Sequence, residues 1–176
     1  MPSLRPFGGL AVGSFAVCTA IAMHRYPGGD SFGGHDAGFS FARNYFCDLT
    51  AAAAKNGDPN GGMRWAQVGV VSVVIALIVF WLDRRSAATR SLDRWAWRLG
   101  IFGAAVAMLL PWGRPTVGGV DLHGAITLGA GAPSIAAATL ATASAARASR
   151  TREAALGATA LLTSALTAIV YLLFLV

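Results

Sequence analysis

The chain has 176 residues, of which 55% are apolar and only 12% charged, with a mean hydropathy of +0.57. Soluble domains carry about twice that share of charge, so the figures exclude a soluble globule, a disordered chain, a collagen, a coiled coil and a disulfide scaffold. The net charge of +6 would point to nucleic acid in a soluble protein. Here arginines gathered between apolar stretches account for it, and no nucleic-acid partner is expected.

Five apolar stretches, residues 7–23, 63–82, 95–112, 122–146 and 154–176, approach the roughly 20 residues that cross a bilayer as a helix. The first, with Arg5 before it and Ala20-Ile21-Ala22 at its end, mimics a secretory signal peptide. It is read as a membrane span. Small residues at four-residue spacing, such as Ala16/Ala20, Gly103/Ala107, Ala125/Gly129/Pro133 and Ala138/Thr142/Ala146, let helix backbones approach in lipid and offer faces for a homo-oligomer. Pro133 is expected to kink the fourth span.

Base counts orient the spans. Arg84, Arg85, Arg90 and Arg94 gather at one connection, with Arg98 just inside the next span, and Arg147, Arg150 and Arg152 at another on the same side. On the opposite side Asp30, Asp36, Asp48, Asp58 and Asp121 cancel Arg25, Arg43, Lys55, Arg64 and Arg114. The arginine-rich side is therefore expected to be cytoplasmic, with the N-terminus inside and the C-terminus outside. Trp65 and Trp112 fall at the outer span ends and Trp81, Trp95 and Trp97 at the inner ends, as an aromatic belt would.

The one long connection, from about residue 24 to 62, begins with a glycine-rich segment and continues into residues 39–55, closed by Asn56-Gly57. Ala42, Tyr45, Phe46 and Leu49 recur at helical spacing, while Arg43, Asn44, Cys47 and Asp48 fill the opposite stripe. This pattern predicts an interfacial amphipathic helix of about four turns. Its polar stripe is either a solvated face, with Arg43 and Asp48 paired, or the floor of a site. Asp48 near the hydrocarbon boundary needs partners, expected among Arg43, Asn44 and His123.

All three histidines fall at the same membrane face as this stripe. His24, His35 and His123, with nearby aspartates, form a candidate set for a divalent metal such as zinc, although their spacing matches no established motif. Asp121 is an N-cap for the fourth span on one reading and the orienting acid of His123 on another. Cys47 with His123 and Asp121 would supply nucleophile, base and orienting carboxylate; without them Cys47 is a small interfacial residue. Arg114, within Pro111-Trp112-Gly113-Arg114-Pro115, either grips a lipid phosphate, as Arg43 would beside it, or anchors its loop. Cys18 and Cys47 are expected to be free thiols.

The run Asn44-Tyr45-Phe46-Cys47-Asp48-Leu49 after the first span, with His123-Gly124 opening a later one, resembles the bacterial multi-pass membrane family DUF998, whose segment reads approximately Asn-Tyr-Ile-Ser-Asp-Leu-Gly. Cys47 stands where that family favours serine, and Thr50 where it favours glycine. The resemblance implies that Asn44, Asp48 and His123 belong to one feature; it implies no activity.

The expected architecture is all-α: one transmembrane domain over residues 1–176, with five transmembrane helices and one interfacial helix, in a bacterial inner membrane. Two functions fit. One is a lipid-directed hydrolase or transferase at the outer face, with Asn44, Cys47, Asp48, Asp121 and His123 as its site and Arg43 and Arg114 holding substrate. The other is a non-catalytic protein that binds lipid or a partner. A transporter ranks below both, because no ionisable residue lies near mid-membrane.

Overall fold

Pro6 lies in the first turn of α1 (Arg5–His24), where a missing backbone N–H costs no helical hydrogen bond. The computed structural model describes residues 4–30, 32–34, 36–86, 88–112, 116–117 and 120–174. After α1 come α2 (Met63–Ser86) and α3 (Ser91–Ala107), then an antiparallel pair, β1 (Thr116–Val117) and β2 (Val120–Asp121), then α4 (Leu122–Arg147) and α5 (Thr151–Phe174). Among the described residues three helical stretches are long and apolar enough to cross a membrane: Pro6–His24, Met63–Ser86 and Leu122–Arg147. Large apolar side chains such as Leu10, Leu128 and Leu162 point outward, as lipid requires. The protein is a helical membrane protein. α3, with 17 residues, is about 25 Å long and carries Asp93, Arg94 and Arg98 in its first half.

Charge follows the helix dipoles in part, since Arg152 in the first turn of α5 and Asp83 in the last turn of α2 oppose them. Arg84 and Arg85 close α2 and Arg147 closes α4, while Asp93 and Glu153 sit in the first turns of α3 and α5. The α4–α5 corner is a Schellman ending: Arg150 N donates to Ala145 O at 2.9 Å and Ser149 N to Ala146 O at 3.0 Å, with Ser149 at φ 54°.

Each helix packs on its neighbours in the chain, α1 on α2, α2 on α3, α3 on α4 and α4 on α5. Lipid provides no hydrophobic force between helices, so backbones must come close enough for dispersion and polar contacts. A small residue sits at every one of these four contacts. Gly69 of α2 faces Thr19 and Cys18 of α1; Gly100 of α3 lies under the Trp81 indole of α2. Gly103 of α3 meets Ser134 and the Ala130 carbonyl of α4, and Gly157 of α5 meets Thr142. Ser14 and Ser72 add a 3.0 Å hydroxyl bond between α1 and α2. Of the small-residue rows in the sequence, those through Gly103 and Thr142 are thus used for packing. Trp81 is 7% exposed, inside a cluster with Ala96 and Ala137, and so belongs to the core and not to an aromatic belt.

The predicted four-turn helix over residues 39–55 does not form. A turn at residues 41–43 precedes a single 3₁₀ helix, Phe46–Thr50. The cause is competition for backbone partners: Asn44 Oδ1 accepts from Ser40 N at 2.9 Å and Asp48 Oδ2 from Tyr45 N at 2.9 Å. The expected faces are also reversed in part. Asn44 and Asp48 are buried, whereas Phe41 is 79% and Phe46 45% exposed. Leu49 alone of the apolar stripe is deeply buried, against Ala22, Tyr26, Ala54 and Ala66, which seats the loop on the ends of α1 and α2.

Gly100→Val places methyls against the Trp81 indole and is expected to destabilise the bundle by about 1–3 kcal/mol, lowering the midpoint of unfolding in mild detergent. Gly131→Ala, where the added carbon meets nothing within 4 Å, leaves that midpoint unchanged or raised. Equal midpoints for wild type and Gly100→Val would contradict the contact.

Candidate functional site

The long connection folds around buried polar side chains that bond to its own backbone. Asp30, 6% exposed, accepts from Phe32 N and Gly34 N through Oδ1, each at 2.8 Å. Arg43 reaches Asp30 at 3.4 Å and Asp36 at 2.9 Å. The Gly34 N–H, then the Phe32 N–H and the Arg43 charge, hold the Asp30 carboxyl below its ordinary 3.8 against the opposing effect of burial. Asn44 donates to Gly29 O at 2.9 Å.

Asp48 is 4% exposed. Its Oδ2 caps the 3₁₀ helix at Tyr45 N, and its Oδ1 lies 3.4 Å from Lys55 Nζ. The expected Arg43–Asp48 pair gives way to Arg43 with Asp30 and Asp36, and Asp48 with Lys55. Next to it Asn60, 7% exposed, donates to the Leu49 and Ala51 carbonyls at 2.9 Å and accepts from Gly62 N at 2.9 Å. Tyr26 Oη accepts from Lys55 N at 3.0 Å. Glycines occupy the tightest points of this loop: Gly29, at φ 76°, has the Asn56 backbone where a side chain would stand.

Beneath the 3₁₀ helix lies a cavity of about 210 Å³. Phe46, Cys47 and Thr50 line it from the 3₁₀ helix, Val70 from α2, Leu110 from the turn after α3, and His123 and Thr127 from α4. Both cysteines are free thiols; Cys18 is buried between helices, and Cys47 is partly exposed. His123 is partly buried, with its Nδ1 shielded from solvent. Thr127, one turn further along α4, donates to His123 O at 2.8 Å. The walls are apolar apart from a thiol, an imidazole and two hydroxyls. Such a set can bind an alkyl chain and, with Cys47 and His123 in one space, can act as nucleophile and base.

The other site residues expected from the sequence lie elsewhere. Asn44 and Asp48 belong to the loop frame and do not line the cavity. His24 is exposed in the last turn of α1. Asp121 ends β2 immediately before α4; its side chain, His35 and Arg114 lie outside the described residues. Among the described residues no three His, Cys, Asp or Glu side chains gather into a metal-ligand set.

Sequence reasoning missed Thr127, Thr50, Val70 and Leu110 as cavity walls. Thr127 was within reach, being at i+4 from His123 on one helical face. Thr50 likewise follows Cys47 by one 3₁₀ turn. Val70 and Leu110 depend on how helices far apart in the chain pack, and no local pattern marks them. No family model, curated protein or solved structure matches the chain, so the functional reading rests on its own residues.

Asp48→Ala removes the acceptor of the Tyr45 N–H and the partner of Lys55, and is expected to loosen the loop by about 1–3 kcal/mol. Faster tryptic cleavage after Lys55 would report it; cleavage at the wild-type rate would show that the cap contributes nothing. Asp30 makes a separate prediction. Because its carboxyl is held below 3.8 in the fold, its stabilisation is fully present above that value and lost as the pH falls through it toward the folded-state value. Hydrogen exchange at Phe32 and Gly34, compared with loop amides remote from them, should accelerate on acidification in the wild type. In Asp30→Asn that local acceleration should vanish.

Proposed function

We propose that this protein is a multi-pass inner-membrane enzyme acting on lipid acyl esters at the extracytoplasmic face, with Cys47 as nucleophile and His123 as base. The observation that carries this reading is the cavity in which Cys47 and His123, distant in sequence, share apolar walls with Phe46, Val70 and Leu110. The five helices span the bilayer with the N-terminus inside, since the arginine-rich connections then face the cytoplasm. The likeness of residues 44–49 and His123-Gly124 to the DUF998 pattern supports treating these two segments as one feature.

The chemistry follows from the groups present. His123 takes the Cys47 proton, and the thiolate attacks the ester carbonyl of a glycerolipid. The acyl C–O bond breaks, the alcohol leaves with the proton returned by His123, and an acyl thioester remains on Cys47. Water then releases a fatty acid, or a second alcohol or amine takes the acyl group; the first outcome is a hydrolase and the second a transferase. Asp121, two residues before His123 and just outside α4, is the candidate orienting carboxylate, a role that requires it to fold back over the helix start. Arg114, in the connection between α3 and α4, is the candidate for the lipid phosphate.

A second reading is a non-catalytic lipid- or partner-binding protein. It is favoured by the polar stripe itself, since Asn44 and Asp48 bond within the loop and leave the cavity with few polar groups.

The test uses the native thiol. On intact cells a membrane-impermeant maleimide should label Cys47, and His123→Ala should slow the alkylation. After incubation with phosphatidylglycerol vesicles, intact mass should show an acyl adduct that neutral hydroxylamine removes. Cys47→Ala should lack it, and His123→Ala should form it about 10²–10⁴ times more slowly. Absence of any adduct, with alkylation indifferent to His123, would overturn the enzyme and leave the binding protein.

A further inference from the structure

At the arginine-rich end of the bundle lies a larger cavity, of about 560 Å³, that the Cys47–His123 reading does not use. Its walls are apolar: Gly8 and Val12 of α1, Ala76, Val79, Phe80 and Trp81 of α2, and Trp97 of α3. Its mouth is charged, with Asp83 and Arg84 from the end of α2, Asp93 from the start of α3, and Arg150 and Glu153 at the start of α5. Along α2 the apolar wall at Ala76 stands about 12 Å, or two turns, below Arg84 at the rim. α1 packs chiefly on α2, and α5 on α4. Val12, on the wall, is 53% exposed, so the cavity opens sideways toward the bilayer as well as at its mouth. A charged rim over an apolar slot with a lateral opening is the shape of an amphiphile.

The rim charges narrow the choice of amphiphile. Arg150 pairs with Glu153 at 3.0 Å, but its distance to Asp93 is 3.9 Å and that of Arg84 to Glu153 is 3.4 Å. Tight charge-assisted bonds are about 2.7–2.9 Å, and part-exposed pairs as loose as these contribute little. They can take a new partner at small cost. Each guanidinium has five N–H donors in a fork that matches phosphate. Three carboxylates nevertheless outnumber the two guanidiniums, which disfavours a headgroup carrying only negative charge. A quaternary ammonium would require an open aromatic face. Those faces are taken: Trp97 stacks with Arg85 at 5.2 Å and Arg98 at 5.7 Å, Phe80 with Arg84 at 5.6 Å, and the Trp81 ring, 7% exposed, packs on Gly100 and Phe80. A primary ammonium, with three donors for carboxylates, needs none.

We propose that this cavity holds a zwitterionic aminophospholipid of the phosphatidylethanolamine type. Its phosphate lies on Arg84 and Arg150, its ammonium on the carboxylates of Asp83, Asp93 and Glu153, and its upper acyl segment along Val12, Ala76 and Val79.

Native mass spectrometry of the full-length protein in mild detergent tests this with phosphatidylethanolamine, phosphatidylcholine and phosphatidylglycerol of identical chains. The expected result is one saturable phosphatidylethanolamine adduct, preferred about tenfold over the other two. Glu153→Gln with Asp93→Asn should abolish the preference. Val12→Trp, on the lipid-exposed side of α1, should lower occupancy by every lipid without changing charge, and it keeps the test informative if the charge variant does not fold. Cys47→Ala should leave the adduct unchanged, so failure here and failure of the outer-face enzyme are distinguishable. Equal retention of all three lipids would mean annular binding only and would overturn the proposal. So would a dimer cross-linked through cysteine placed at Val12 that excludes the lipid, since a second copy of the chain would then fill the cavity.

Discussion

The side-chain amide of Asn60 sits between the long connection and the first turn of α2, donating to two loop carbonyls and accepting from Gly62 N. Removed from water, an amide left without those partners would cost about 1–3 kcal/mol for each group stranded. Satisfying them requires the carbonyls of Leu49 and Ala51, and hence the 3₁₀ helix, to stand beside the end of α2. Leu49 is then carried into the apolar cluster of Ala22, Tyr26 and Ala66, and Cys47 over Val70 and His123. The position of the candidate nucleophile is thus a consequence of backbone hydrogen bonding several residues away. Gly62 completes the arrangement, because the Ala22 carbonyl stands where its side chain would be.

The helices were legible in the sequence chiefly from length and apolar composition, strongest in α1, α2 and α4, signals that do not depend on tertiary context. Their ends were less so. Arg84 and Arg85 fall inside α2, and Asp93 and Arg94 inside α3, where an apolar count alone cuts the segment short. The connection over residues 39–55 was misread for a different reason. Its apolar residues do have helical spacing, but Asn44 and Asp48 offer the backbone nearer partners than the i−4 carbonyl. Spacing cannot weigh that competition. Nor can it show Trp81 over Gly100, a contact made by two helices whose residues look alike to the bilayer.

The candidate site was legible only in outline. Placing Cys47 and His123 at one membrane face follows from the order of spans, and the cavity they share is consistent with it. Assigning Asn44 and Asp48 to the same site followed from their polarity, yet polarity in a buried loop first serves the loop. Asn44 bonds to Gly29 and Ser40, and Asp48 to Tyr45 and Lys55. A polar residue near a cavity is evidence for chemistry only after its bonds to the backbone have been counted.

The two ends of the bundle meet the demand for polar satisfaction in opposite ways. At the Cys47 end buried side chains bond to fixed backbone groups, so each change of partner strands a donor or acceptor and the framework resists rearrangement. At the arginine-rich end charged side chains bond to one another across helices: Arg150 links the first turn of α3 to that of α5, and Arg84 links α2 to α5. Those pairs are partly exposed, so exchanging one carboxylate for a phosphate conserves most of their free energy. Rigidity would suit the proposed pairing of a thiol and an imidazole in one small space, whereas exchangeable pairs would suit the proposed lipid headgroup. The same composition, poor in charge and rich in small residues, therefore yields two unlike ends, and what separates them is whether buried bonds to backbone or part-exposed charge pairs predominate.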